Sequence, residues 1–121
     1  MTKQELKYLV DIQLCIEDLE THFINGKRFD EFNNNIVLKR ALERVYEIIG
    51  EAMKKYKNLN PPFEITYSKE IIGLRNIISH AYDSLDYEKL WAVLINHMPH
   101  LKIEINSLIE KYDIHLGYKK Q

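Results

Sequence analysis

The chain has 121 residues, 17 Lys and Arg against 18 Asp and Glu, and a formal net charge of −1. With 45% hydrophobic and 29% charged residues, it reads as one globular domain over residues 1–121, which argues against disorder, and it lacks the long apolar run of a membrane span. A single cysteine, Cys15, excludes an internal disulfide framework and a zinc ribbon. The polar start MTKQELKYLV has no apolar signal-peptide core, so a cytoplasmic protein without a membrane partner is expected. The balanced charge weighs against a dedicated electrostatic binder of nucleic acid but leaves room for a local patch.

Four glycines and three prolines are about half the number that average usage would give, so the elements should be few and long. Asn25-Gly26, Asn33 to Asn35, Asn58 to Pro62, Asp83 to Asp86 and Gly117 are the strong breakers. They leave four segments. In the first, Thr2 and Glu5 fit a capping box, and Leu6, Leu9, Ile12, Ile16, Leu19 and Phe23 recur at helical spacing. The second starts at the asparagine triplet, where an Asn can cap, and carries Val37, Ala41, Val45, Ile48, Ala52 and Tyr56 on one stripe until Pro61-Pro62 stops it. The third, with Ser68 as its expected cap, has Ile71, Leu74, Ile78 and Ala81 or Tyr82 as its apolar side. The fourth follows Asp86 and shows Leu90, Leu94, Met98, Leu101, Ile105, Leu108 and Tyr112. Because that stripe keeps its phase through Pro99, one helix kinked there is expected. Strand-like alternation is absent. The reading is all-α, an antiparallel four-helix bundle.

Chemistry has few places to sit. His97, His100 and Glu104 share one face at metal-like spacing, but Pro99 falls among them and no carboxylate-rich partner segment is evident; a solvated polar face is the plainer reading. No cofactor is expected. Cys15 lies between core positions and reads as a packing residue. Lys54, Lys55 and Lys57 suit the dipole at a helix C-terminus, and an RNA-contacting patch remains open beside that.

The stretch Gly73 to Tyr82 holds Arg75, Asn76, His80 and Tyr82. RNA carries its own nucleophile, the 2′-hydroxyl, and its cleavage needs a base, an acid and a cation for the phosphate. A histidine can supply the first two roles and an arginine the third, without a metal. Five residues rotate His80 by about 140° from Arg75 on a helix, whereas Asn76 and His80 share a face. A two-fold axis that pools residues from two copies would ease this, so a homodimer with a composite site is expected. The plain alternative is a surface ion pair for Arg75, a helix-end position for His80 and a packing role for Tyr82.

The same segment resembles the Arg-x4-His-x-Tyr signature of the HEPN superfamily, in its HepT-like toxin branch. Arg40 to Ala52, with its Glu-Ile-Ile-Gly-Glu-Ala-like core, Ile71 to Asn76, and Asp86 to Trp91 followed by Met98-Pro99-His100-Leu101 are similar to further parts of that family. The likeness runs from about Leu6 to Tyr112. Gly50 and Gly73, each costing about 1 kcal/mol in a helix, would mark close approaches. Tyr67 stands near the place of an expected tryptophan, and Ala81 replaces a frequent acidic residue.

The resemblance implies a metal-independent endoribonuclease toxin of a type II toxin–antitoxin pair. Its substrate would be RNA, tRNA or mRNA, cut at a dimer-interface site with Arg75 and His80 catalytic and Asn76 supporting. It further implies a nucleotidyltransferase-like antitoxin that AMPylates Tyr82 and so blocks RNA by charge and bulk. A non-catalytic HEPN-type helical module binding nucleotide or protein is the alternative.

Overall fold

The structure is a computed structural model that describes residues 2–24, 28–80 and 84–116. Its elements are α1 (Lys3–Leu19) continuing into a π-helical turn (Glu20–Ile24), α2 (Phe29–Asn33), α3 (Ile36–Asn58), α4 (Ser68–His80), α5 (Tyr87–Asn96) and α6 (Met98–Leu116). Among the described residues there is no strand, and no helix is long and apolar enough to cross a membrane.

The helix starts follow local chemistry. Thr2 and Glu5 form the expected capping box on α1, satisfying two backbone N–H groups that a helix leaves free. Asn35 caps α3 by accepting from Leu38 N at 3.1 Å, and Asp86 caps α5 by accepting from Glu88 N and Lys89 N. Ser68 is the first residue of α4 and lies inside the helix, one position beyond the capping place expected for it.

Side-chain pairs fix the directions. Glu5 meets Tyr112, Gln13 meets Asn106 and Glu20 meets Lys102, so α1 and α6 run antiparallel. Ser79 meets Glu47 and Arg75 meets Glu51, which sets α4 antiparallel to α3. Tyr46 donates to Leu90 O at 2.7 Å, and Tyr56 lies 3.2 Å from the Tyr112 hydroxyl, so α5 and α6 follow the direction of α3. One core joins the segments. Leu9, Ile12, Ile16, Leu19 and Phe23 are buried as expected, as is the whole stripe from Leu90 to Tyr112.

Three expectations are corrected. The buried face of α3 is Leu42, Tyr46, Ile49, Ala52, Met53 and Tyr56, while Val37 is 71% exposed and Ile48 lies at the surface. Ala52 and Tyr56 are buried as expected, whereas earlier in the helix the buried stripe lies about one position over because Tyr46 is the larger apolar group and takes the interior. The connection before α3 contains a helix, α2, because Phe32 stacks on Trp91 with centroids 5.0 Å apart. The last segment is two helices, with the break at His97 and Pro99 in the first turn of α6. Proline lacks the N–H that would bond the carbonyl of Ile95, and a first helical turn is where that loss is tolerated. Bonds from His97 N to Val93 O and from Leu101 N to His97 O bridge the junction, and the apolar stripe stays in phase.

Candidate active site

The contact between α3 and α4 is built around Gly50. A Cβ placed there would lie 2.3 Å from Arg75 Cβ and 3.3 Å from Ile71 O, so only glycine lets α4 come this close. The expected close approach at Gly73 is not found: nothing lies within 4 Å of a Cβ there, because Gly73 faces outward into a groove.

Seated over Gly50, Arg75 is held from two sides. Its Nη2 pairs with Glu51 Oε2 at 2.9 Å, and its Nη1 donates to Asn76 Oδ1 at 3.0 Å. One turn further along α4, Ser79 Oγ donates to Glu47 Oε2 at 3.2 Å. Glu47 and Glu51 are four apart on α3, and Arg75 and Ser79 are four apart on α4, so two matched rungs pin the helices in register. Neither carboxylate was singled out from sequence. The signal was available: both flank Gly50 in the stretch Arg40 to Ala52, spaced to face one neighbouring helix.

His80 is the exposed last residue of α4, and Asn76 is exposed one turn before it. The helix is continuous from Arg75 to His80, so the rotation of about 140° between them holds. Arg75 therefore turns toward α3, while Asn76 and His80 share the outer face. Tyr82 and Ala81 lie outside the described residues.

Two clefts border α4, one at Arg75 and the other along Gly73 and Ile77. One, of about 440 Å³, lies between α1 and α3 and reaches Arg75; its walls include Lys7, Arg44, Glu51 and Lys55. The other, of about 800 Å³, lies between α4 and the α5–α6 junction and is largely apolar, with Gly73, Ile77, Met98 and Ile103 along it.

The remaining expected groups have structural surroundings. Glu104 Oε2 accepts from Thr66 N at 3.0 Å and from Thr66 Oγ1 at 2.7 Å, fastening the connection before α4. His97 and His100 are exposed beside it, and no group of three or more metal-binding side chains occurs among the described residues. Cys15 is buried, and that burial pushes its thiol up to about 11, away from the reactive thiolate.

The chain matches the family model described as "Ribonuclease HepT-like" over residues 12–108. It is 36% identical to "Putative RNase MJ1380" of Methanocaldococcus jannaschii, across 87% of this chain and 97% of that protein. It is 32% identical to "Putative RNase MJ1216" of the same organism, across 91% and 92%. With "Probable ribonuclease HepT" of Thermococcus cleftensis the identity is 33%, across 89% and 98%. No solved structure is a significant match. The region matched holds α3, the Gly50 contact and the whole of α4, and the chain belongs to the HepT-like ribonuclease family.

Proposed function

We propose that this protein is a metal-independent endoribonuclease, the toxin of a type II toxin–antitoxin pair, working as a homodimer of single helical domains spanning residues 1–121. The observation that carries this reading is Arg75, fixed over Gly50 at the edge of a cleft, one and a half turns before an exposed His80 on the same helix.

In this reading the RNA 2′-hydroxyl attacks the adjacent phosphorus. One His80 takes its proton, and a second His80 gives a proton to the departing 5′-oxygen. Arg75 holds the non-bridging oxygens as charge builds on them. The products are a 2′,3′-cyclic phosphate and a 5′-hydroxyl. Asn76, bonded to the Arg75 guanidinium, fixes its plane. Two histidines need two copies, and the apolar groove beside α4 supports that arrangement: Ile77 is 57% and Ile103 68% exposed, a surface that a second copy would cover.

Tyr82 follows His80 by two residues. Control by a nucleotidyltransferase-like antitoxin would add AMP there: the phenol oxygen attacks the α-phosphorus of ATP and diphosphate leaves. The adduct puts negative charge and bulk beside the strand. Intact mass after incubation with antitoxin and ATP should rise in the wild type and stay constant in Tyr82→Phe.

A specific observation favours one second reading, a nucleotide- or protein-binding module without turnover. Within one chain, Arg75 is already paired with Glu51, and His80 faces elsewhere. Cleavage assays in EDTA separate the two. The nuclease predicts that the wild type cuts tRNA or mRNA while Arg75→Ala and His80→Ala do not; three equally inactive proteins, with Tyr82 unmodified by mass, would leave the binding module.

A further inference from the structure

The cleft between α1 and α3 meets the Arg75–His80 motif at Arg75 and extends away from it along α3. Four cations, Lys7, Arg44, Lys55 and Arg75, and three carboxylates, Asp11, Glu47 and Glu51, border it, and Glu47 is bonded to Ser79. Two of the cations are already committed, Lys7 to Asp11 at 2.9 Å and Arg75 to Glu51 at 2.9 Å. Arg44 and Lys55 are exposed and have no ion-pair partner among the described residues. Arg44, Ile48, Glu51 and Lys55 fall at intervals of four, three and four, so they form one stripe along α3. At about 1.5 Å per residue the stripe sets Lys55 roughly 16 Å from Arg44 along the axis. Arg75 enters between them, level with Gly50 and Glu51. Ile48 and Tyr8 supply the apolar wall between the charges.

Three cations in a row on an open cleft, the middle one being the proposed phosphate-holding arginine, suit a polyanionic strand by charge. We propose that this cleft binds single-stranded RNA flanking the cut, with neighbouring phosphates on Arg44 and Lys55. The inference rests on the ribonuclease reading and deepens it by assigning the strand a path along α3. It also explains how a chain of net charge −1 can hold RNA: the attraction is local, and the carboxylate of Glu51 occupies Arg75 until a phosphate displaces it. Glu51 is 46% exposed at its side chain, so it can yield to water without a burial cost.

The test is fluorescence anisotropy with a short labelled oligouridylate, on His80→Ala protein so that the strand stays intact. Arg44→Gln and Lys55→Gln should each weaken binding about threefold or more and lower the slope of log affinity against log salt by about 0.7. Lys57→Gln removes an exposed cation on the other side of α3 and should bind as the parent does. Unchanged affinity and slope in both cleft variants overturns the inference, and so does an equal loss in all three. ATP that displaced the strand at equal phosphate concentration would assign the cleft to a free nucleotide and overturn the strand path. A wild type that cuts RNA while the cleft variants bind normally defeats the path and leaves the nuclease standing. Cleft-dependent binding with no cleavage by the wild type does the reverse.

Discussion

Gly50→Ala is the most revealing single change, because it sets helix propensity against packing at the one place where α4 is seated. The added carbon would lie 2.3 Å from Arg75 Cβ and 3.0 Å from Arg75 Cγ. Carbon atoms rest comfortably at about 3.5 Å, so the two helices must part by roughly 1.2 Å at that level. Arg75 Cβ is bonded to the backbone, and Ile71 O is backbone itself, so no rotamer change relieves the clash. Alanine gains about 1 kcal/mol over glycine in helix propensity, while forcing a methyl group into a filled contact costs about 1–3 kcal/mol. With two rigid atoms opposed, the upper part of that range applies, and the net loss is about 1–2 kcal/mol. The same movement stretches the 2.9 Å pair between Arg75 and Glu51 out of hydrogen-bonding range. Gly73→Ala is the control: nothing lies within 4 Å, so propensity acts alone and stabilises by about 0.5–1 kcal/mol. Urea unfolding of the two variants beside the wild type reads both values. A Gly50→Ala protein as stable as the wild type or more so would refute the close-approach argument.

Other outcomes follow from the buried polar groups. Glu43, 7% exposed, accepts from Arg40 Nη1 at 2.7 Å and from the Tyr87 hydroxyl; Glu43→Ala should cost about 1–3 kcal/mol and Tyr87→Phe about 0.5–1.5 kcal/mol in urea unfolding. Equally small losses would mean that the cluster does not hold α5 on α3. Cys15 titrates at about 11 in the fold against 9.0 for the free group. Its folded pKa is raised, so its contribution is complete below pH 9 and is lost as pH rises toward 11. Wild-type stability should therefore fall more steeply than that of Cys15→Ala across that window, and parallel curves would contradict it.

How much was legible in the sequence depended on the length of each pattern. The stripes of α1 and of Leu90 to Tyr112 span several turns with one dominant face, and the residues expected in the core are there, except that Leu6 is only partly buried against it. On α3 apolar residues occur on two adjacent faces, and periodicity alone does not weigh a tyrosine against a valine, so Ala52 and Tyr56 match the core while Val37, Ala41, Val45 and Ile48 lie about one position away from it. A five-residue helix such as α2 is shorter than any readable period; it is held by Phe32 against Trp91, a contact far apart in sequence. At the site, Arg75, Asn76 and His80 were visible as a motif. Their partners Glu47 and Glu51 were not, since which carboxylates face α4 is settled only by how the helices dock. Gly50 and Gly73 looked alike in sequence, and docking alone separates a seat from an open face.

The central claim is that the chain cuts RNA through the 2′-hydroxyl, with His80 moving the proton. Its most direct measurement uses an oligoribonucleotide carrying a cut site mapped in EDTA, beside the same strand with one 2′-deoxy sugar at that position. The wild type should cut the all-ribose strand to a 2′,3′-cyclic phosphate and leave the deoxy site intact, while identically prepared His80→Ala cuts neither. Cleavage at the deoxy position, or equal cleavage by His80→Ala, would contradict it.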